Sequence, residues 1–468
     1  MFTDLSATEL SQKLAAKTVT SVEVMAEFLD RIEQENPRIN AIVSLRPRSE
    51  LLAEAAQADR STRKGWLHGI PFAVKDLVAT KGLRTTMGSP LFANHIPEND
   101  ELLAARLRAA GAIFIGKTNT PEWGHGSHSF NPVHGTTLNP YDTTRSSGGS
   151  SGGAAAALAA RLVPVADGSD MMGSLRNPAA FCNVYGFRPS WGLIPQDAEA
   201  DTFINTLTTD GPMARNVEDL AHLLEVLAGP NPEAPFGRPS EPFSHQLKSS
   251  IKGKRIGWLG DWDGAYQFEP GILNCCEEAL KVFEDLGAHV DRVQAPFPAE
   301  DLWQSWITLR AMLNAGSKMS LYSDPEKRAL LKPETQWEIE QGLQLSASAV
   351  HHASTIRSHW YATAARQFQK FDALALPSAQ VWPFPAEWRH PTSINGITLD
   401  TYHRWMEVVI PVSLAGLPCL GLPAGFGPNG LPMGMQLFGA TGADGNILSL
   451  GQAYHRATDW PSRRPPQL

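Results

Sequence analysis

Two short loops rich in serine and glycine contain the residues of this sequence that could act as nucleophiles. Residues 148–153 read Gly-Gly-Ser-Ser-Gly-Gly, and residues 167–174 read Asp-Gly-Ser-Asp-Met-Met-Gly-Ser. A serine flanked by glycines can be presented on a tight turn beside unpaired backbone N–H groups. One helix-forming run and one strand-like run separate the two loops, so both loops return to the same edge of a sheet. The sequence therefore predicts that Ser150 and Ser174 meet there.

Histidine is the usual base that accepts the proton of an attacking serine hydroxyl. The pairs His125/His128 and His351/His352 have no acidic or cysteine partner at the spacing of a metal site. The sequence offers no obvious histidine base, and we predict that the protein binds no metal.

Lys75 is a second candidate base, because lysine loses its proton more readily where burial disfavours the charged form. It follows the apolar run 70–74, which predicts a buried strand ending at Lys75. Position alone favours the alternative, in which Lys75 forms an ion pair with Asp76 or another acid.

The elements that must position these residues alternate between strand-like and helix-like patterns. Apolar runs at 111–116 and 162–166 predict further buried strands, and the alanine-rich run 154–162 predicts a helix. Helices are also predicted to begin at 7–10 and 21–24, where a Ser or Thr can cap and an acid lies near the first turn. This alternation favours an α/β architecture.

We expect a single domain over residues 1–468, although length alone leaves the number of domains open. Residues 1–65 are expected to form a helical wrapper and residues 66–225 the catalytic core. Residues from about 265 to 370 are predicted to be mostly helical and to adjoin a substrate pocket.

Charge and composition narrow the possible partners and location. The chain has 40 Lys and Arg against 48 Asp and Glu, a formal net charge of −8, so we predict no direct contact with nucleic acid. Residues 408–443 carry no charge, but prolines and glycines interrupt them, which predicts buried strands and tight turns rather than a membrane span. No secretory signal is visible, and we predict a cytoplasmic protein with reduced thiols at Cys182, Cys275, Cys276 and Cys419.

Several separated blocks of the sequence resemble the amidase signature family. Besides the loop at 148–153, the blocks that carry this resemblance are 69–76, 116–124, 168–179, 186–190 and 430–437. They occur in the family's order and together span most of the chain. The resemblance implies the family's α/β fold, with a mixed central sheet flanked by helices on both faces. It also implies that no metal or organic cofactor is needed.

The resemblance implies a catalytic triad of Ser174 as nucleophile, Ser150 in a cis peptide as the proton bridge, and Lys75 as the base. It implies an oxyanion hole built from backbone N–H groups of the loop before the nucleophile, which here are those of Met171, Met172, Gly173 and Ser174. Residues expected to support this loop and its hydrogen bonds are Ser169, Asp170 and Arg176.

The pair Met171-Met172 departs from the family's pattern, in which a Thr or Ile is usually followed by Gly-Gly-Ser. Either both methionines fill gaps in the core, or Met172 narrows the acyl side of the site. Candidate pocket walls are Trp123, Met172, Phe181, Phe203 and Trp306. Apolar walls of this kind would favour aryl or alkyl acyl groups over charged ones.

The activity implied by the resemblance is hydrolysis of small-molecule carboxylic amides, with aryl amides or esters as further substrates; a homodimer is left open. An alternative within the family is the glutamine-hydrolysing subunit of a tRNA-dependent amidotransferase complex, although the acidic balance and Met171-Met172 favour a stand-alone hydrolase. Residues 148–152 also match the nucleophile elbow of α/β hydrolases, but that elbow needs a strand before it, and residues 141–147 predict a loop.

Overall fold

The predicted mixed central sheet is confirmed in a computed structural model, which describes residues 1–197 and 201–468. The strands of the described residues are β1 (Ile42–Val43), β2 (Pro71–Lys75), β3 (Ile113–Thr118), β4 (Phe130–Asn131), β5 (Gly135–Thr136), β6 (Leu138–Asn139), β7 (Asp142–Ser146), β8 (Val165–Asp170), β9 (Tyr185–Arg188), β10 (Thr209–Ala214), β11 (Arg255–Trp258), β12 (His289–Arg292), β13 (Ala373–Pro377), β14 (Ser393–Ile394), β15 (Ile397–Thr398), β16 (Cys419–Phe426) and β17 (Pro432–Phe438). The central sheet has the strand order β12-β11-β13-β17-β16-β9-β10-β8. β11 runs parallel to both of its neighbours, and the remaining pairs are antiparallel.

Helices cover both faces of this sheet. Those in the described residues are α1 (Ala7–Ala15), α2 (Ser21–Ile39), α3 (Arg48–Arg60), α4 (Leu102–Ala109), α5 (Gly152–Ala159), α6 (Arg176–Cys182), α7 (Val217–Leu227), α8 (Phe243–Gln246), α9 (Ile272–Asp285), α10 (Ala299–Tyr322), α11 (Pro325–Ala329), α12 (Pro333–Leu343), α13 (Ala347–Gln367), α14 (Ile410–Ala415), α15 (Asp444–Thr458) and α16 (Trp460–Arg463). None of them is both long and apolar enough to cross a membrane.

Alternate side chains of the central strands supply two separate apolar cores. Ala375 of β13 and Leu437 of β17 pack into one core, together with residues of α7, α9 and α15. Leu376 of β13 and Phe438 of β17, each the next residue along its strand, pack into the other, with residues of α10, α13 and α14. Successive residues of a strand point to opposite faces of the sheet, so one sheet binds both helical layers.

The predicted helix starts near residues 7 and 21 are confirmed, and each is stabilised by a reciprocal capping box. Ser6 caps α1 and exchanges hydrogen bonds with Glu9, while Thr20 caps α2 and exchanges them with Glu23. Each box satisfies two backbone donors that the first helical turn leaves without a partner.

Strand β8 differs from its prediction, because it begins at Val165 and continues through residues expected to form a loop. It pairs along its whole length with β10, and Gly168 lies opposite Gly211. A Cβ atom on Gly168 would stand 2.6 Å from the side chain of Leu175. The glycine therefore serves close packing within a strand here, rather than the turn that its type suggested.

The region from about 265 to 370 contains α9 to α13, as predicted, and one short strand, β12. Within 408–443, β16 and β17 form the predicted buried strands, and the preceding apolar residues form α14. A separate three-stranded sheet, in the order β1-β3-β2, carries Lys75 at the end of β2.

Candidate active site

Lys75 is fixed at the junction between the small sheet and the central sheet. It is the last residue of β2, and its side chain is fully buried. Its backbone N–H donates to the Asp167 carboxylate of β8, with N···O distances of 3.0 and 3.3 Å. This contact aligns the end of β2 with the strand that leads into the second serine loop.

The Lys75 amine donates to three serine hydroxyls at once. Its Nζ lies 2.8 Å from Ser150 Oγ, 2.8 Å from Ser151 Oγ and 2.9 Å from Ser169 Oγ. These three acceptors come from both of the serine loops predicted to meet, and none of the three is charged. The Lys75–Asp76 pair that position alone favoured is not formed, because the Asp76 carboxylate instead accepts from the backbone and side chain of Thr86.

Burial lowers the pKa of Lys75 from its ordinary value to about 8, and the charges of Asp167, Asp210 and Asp170 oppose this shift. Removing an amine from water disfavours its protonated form, whereas nearby carboxylates favour it. A substantial fraction of Lys75 is consequently neutral at mildly alkaline pH, and the neutral amine can accept a proton.

Ser150 lies in a tightly enclosed loop whose Gly149–Ser150 peptide bond is cis. The Gly149 carbonyl accepts a hydrogen bond of 2.6 Å from the Ser127 hydroxyl, and the Ser150 carbonyl accepts one of 3.3 Å from Ser129. A Cβ atom on Gly149 would stand 2.9 Å from the backbone nitrogen of His128. The loop therefore requires a glycine immediately before Ser150.

Ser174 lies just before α6 and is joined to the first serine loop by its backbone. Its carbonyl accepts a hydrogen bond of 3.3 Å from the Ser151 N–H. The side chains of Ser150 and Ser174 open onto one cavity of about 730 Å³, which Ser169 also lines. The structure thus brings all three residues of the expected triad to one place, with Lys75 buried behind the cavity floor.

The predicted oxyanion donors divide into two groups. Met171, Met172 and Ser174 line the cavity. The N–H of Gly173 instead donates to Asp170 Oδ1 at 2.9 Å, which corrects the expectation that this group faces the substrate. Gly173 is needed for a different reason, because its φ is +79° and a Cβ atom there would stand 2.1 Å from Asn177 Oδ1.

A buried ion cluster holds residues 171–174 from behind; these residues are called the oxyanion loop, after the role expected of them. Asp170 forms hydrogen bonds of 3.0 and 2.9 Å with the Arg176 guanidinium and accepts from the Leu175 N–H. Arg188 lies 3.4 Å from the same carboxylate. Burial alone would raise the pKa of Asp170, but the charges of Arg176 and Arg188 hold it well below its usual range. Asp170 is therefore ionised across the whole working pH range.

The five candidate wall residues are divided by the structure. Trp123 and Met172 line the cavity. Phe181 and Trp306 are fully buried in the apolar core beneath it, and Phe203 is 68% exposed and packs against Phe236. The last three are therefore not wall residues. Large apolar residues are buried in cores as well as in pocket walls. Their residue type therefore could not distinguish a core residue from a wall residue.

Several residues of the site were missed by sequence reasoning. Ser151 and Asp167 contact Lys75, and their only signal was that they belong to the serine loops. Arg310, Asn314 and Lys318 line the cavity from α10, far along the chain from either loop. Residues 265–370 were expected to adjoin a substrate pocket, but no local pattern in the sequence singles out these three residues of α10.

Comparison with known proteins identifies the family. A family model described as Amidase matches residues 23–448. The chain belongs to the amidase family. An acylamidase of Rhodococcus erythropolis is 32% identical over 471 residues, which cover 98% of this amidase and 97% of that protein. A glutamyl-tRNA(Gln) amidotransferase subunit of Thermus thermophilus is 35% identical over 474 residues, covering 96% of each chain.

Solved structures agree with this assignment. A bacterial aryl acylamidase of the amidase signature family superimposes with a TM-score of 0.91 and 29% identity, covering 98% of this amidase and 99% of that chain. The family and its acylamidase members establish this amidase as a hydrolase that acts on amide C–N bonds.

Proposed function

We propose that this amidase hydrolyses carboxylic acid amides, including aryl amides, through an acyl-enzyme on Ser174. The observation that supports this most directly is the 2.8 Å contact between Lys75 Nζ and Ser150 Oγ, at the floor of the cavity that Ser150 and Ser174 share. A buried amine with a lowered pKa, connected to hydroxyls beside a cavity, is the arrangement expected of a base that activates serine.

The proposed reaction begins with neutral Lys75. Ser174 Oγ forms a bond to the amide carbonyl carbon, its proton passes to Ser150, and the Ser150 proton passes to Lys75. The tetrahedral intermediate then collapses with cleavage of the C–N bond, and the same relay returns a proton to the departing nitrogen. Water repeats the sequence in place of Ser174 and releases the acid.

The negative oxygen of the intermediate needs donors that already point at the cavity. Met171, Met172 and Ser174 line it, and their backbone N–H groups are the donors we propose. Each such donor typically stabilises the transition state by about 3 to 4 kcal/mol. Gly173 and Asp170 act by fixing the loop, through the hydrogen bond between them.

Aryl and alkyl amides match the volume of the cavity and the apolar part of its lining. Its volume of about 730 Å³ accommodates a small organic amide, and its apolar lining includes Leu77, Trp123, Met172, Leu313 and Met406. The acylamidase of Rhodococcus erythropolis and the bacterial aryl acylamidase have names that agree with this substrate class.

The test is turnover of a panel of p-nitroanilides, primary amides and p-nitrophenyl esters by the wild type and by Ser174→Ala. We expect hydrolysis of at least one amide by the wild type and a loss of about 10⁴-fold or more in kcat for the variant, as for removal of other serine nucleophiles. Unchanged turnover by Ser174→Ala would exclude the proposed nucleophile.

The second candidate is glutamine hydrolysis within a tRNA-dependent amidotransferase, which the 35% identity to the Thermus thermophilus protein favours. Glutaminase activity, and copurification with partner proteins, would support it. A stand-alone amidase should prefer an anilide to glutamine.

The cytoplasmic location and a homodimer remain predictions, to be tested by fractionation and by light scattering.

A further inference from the structure

One wall of the catalytic cavity carries two cationic side chains. Arg310 and Lys318 both belong to α10 and both line the cavity, as do Ser150, Ser174 and the oxyanion loop. Arg310 is buried and Lys318 is half-buried. Nothing in the amide bond itself requires a cation in addition to the backbone donors, so these charges need their own explanation.

One nitrogen of the Arg310 guanidinium, Nη1, lacks a strong acceptor. Its Nε donates to Glu338 Oε1 at 2.6 Å and its Nη2 to the Tyr402 hydroxyl at 3.0 Å. Among the described residues, its Nη1 contacts only the Met171 thioether, at 3.2 Å. A thioether is a weak acceptor. The guanidinium therefore presents an under-used N–H group next to the oxyanion loop.

Lys318 has only neutral acceptors in the part of the chain that the structure describes. Its Nζ lies 3.1 Å from Asn314 Oδ1 and 3.3 Å from Ser317 Oγ. Among residues 1–197 and 201–468, no carboxylate lies within 4.0 Å of this amine. Burial and the nearby Arg310 lower the pKa of Lys318 to about 8, and the charge of Glu338 opposes the shift. The amine is consequently still mostly protonated at neutral pH.

The two cations of this wall share one carboxylate contact. Within the described ranges, Glu338 is the one carboxylate that accepts from them, through Arg310. Burial raises the pKa of Glu338, but Arg310, His403, His125 and the Tyr402 hydroxyl together lower it to about 2. Burial lowers the pKa of His125 well below its ordinary value and that of His403 to about 3, so both are neutral. Glu338 thus compensates Arg310, whereas Lys318 contacts no carboxylate within residues 1–197 and 201–468.

The other charged groups near the wall are engaged elsewhere. Lys332 donates to the His125 carbonyl at 2.9 Å, and its charge faces Glu334 and Glu122. Asp201 also lines the cavity, but it is exposed and accepts from the backbone of its own loop. A partly buried cation that has only neutral acceptors, as Lys318 has, is unfavourable until an anion compensates it.

We propose that Arg310 and Lys318 bind a carboxylate of the amide substrate, at a point remote from the scissile bond. The preferred substrates are then amides with a carboxylate on the acyl chain or on the amine, and the apolar walls contact the remainder. This inference rests on the proposed function of the same cavity. It also differs from the sequence-based expectation that charged acyl groups are disfavoured.

The test compares substrates matched in size but not in charge. N-succinyl-p-nitroanilide is paired with N-pentanoyl-p-nitroanilide, and 4-acetamidobenzoate with its methyl ester. In at least one pair we expect the substrate that carries the carboxylate to have the higher kcat/KM. We expect Lys318→Met to lower kcat/KM for that carboxylate about tenfold or more, as the loss of a charge-assisted hydrogen bond implies, and to leave the neutral partner within about twofold.

A matched control is Lys281→Met, which removes an exposed lysine paired with Glu278 far from the cavity lining. It should leave both members of each pair unchanged. Equal kcat/KM for the carboxylate and neutral members of both pairs would overturn the subsite, and so would an equal loss on both members in Lys318→Met.

Binding separates this inference from the catalytic proposal. Calorimetry with Ser174→Ala should show tighter binding of the carboxylate member, and the Ser174→Ala/Lys318→Met double variant should lose that preference. Turnover without any binding preference would contradict the subsite alone. A binding preference without turnover by the wild type would contradict the proposed function alone.

Discussion

At the residue scale, the proposed chemistry depends on the protonation of Lys75. Burial and three surrounding carboxylates act on it in opposite directions, and burial has the larger effect. Sequence motifs predicted which serines and which lysine lie together, because the glycines and serines around them form unusual local patterns. They did not predict Ser151 as an additional acceptor, and they assigned Ser169 to the support of the second loop rather than to Lys75, since these contacts depend on how the two loops meet in space.

The rate should rise with pH through the range near the pKa of Lys75, which is about 8. Below that value the amine is protonated and cannot accept a proton, and above it the neutral base predominates. A profile of kcat/KM against pH with a neutral substrate should therefore increase from mildly acidic to alkaline pH. A maximum well below pH 6 would contradict the role of Lys75.

Asp167→Asn should move that profile to lower pH. The new side-chain amide keeps an oxygen that accepts from the Lys75 N–H. The substitution nevertheless removes a negative charge that stabilises the protonated form of Lys75. Asp210, Asp170 and Lys117 remain, so the midpoint should shift without a loss of the alkaline plateau. A midpoint that stays in place or moves to higher pH would show that Asp167 does not set the charge of Lys75.

At the element scale, the oxyanion loop depends on a buried ion cluster that links β8, α6 and β9. The sequence predicted the strand before Ser174 but ended it too early, because the apolar run stops at Ala166 whereas backbone pairing with β10 continues to Asp170. Tertiary pairing decided the boundary. The starts of α1 and α2 were predictable, because each capping box lies within four residues of sequence.

Asp170→Asn should lower the free energy of unfolding by about 3 to 5 kcal/mol, because it leaves Arg176 and Arg188 buried without their counter-charge. Urea denaturation followed by tryptophan fluorescence measures the change. Asp291→Asn is the control, since it removes an exposed partner of Arg255 and should change stability by less than about 1 kcal/mol. Equal effects of the two substitutions would contradict the structural role of Asp170.

At the scale of the whole molecule, the central sheet joins the two serine loops to the helical layer that contains α10. The order of motifs and the alternation of elements predicted the fold. The cavity wall that carries Arg310 and Lys318 could not be predicted, because α10 reaches the serine loops only through packing and Arg310 is held by Glu338 and Tyr402 from other parts of the chain. Their positions depend on long-range contacts that no local pattern records.

The purified chain should hydrolyse an anilide on its own, since Lys75, Ser150 and Ser174 all belong to this chain. Turnover should be proportional to enzyme concentration and should not increase when cell extract is added. Activity that appears only after a protein partner is supplied would favour the amidotransferase alternative.

The most direct test of the account is to find the residue that carries the acyl group. The enzyme is mixed with a p-nitrophenyl ester of a slowly hydrolysed acid, quenched in acid within the first turnover, digested and mapped by mass spectrometry. We predict one acyl group, on Ser174, and none in Ser174→Ala. An acyl group on Ser150 or Ser151 instead, or a wild-type enzyme that turns over without any acylated peptide, would contradict it.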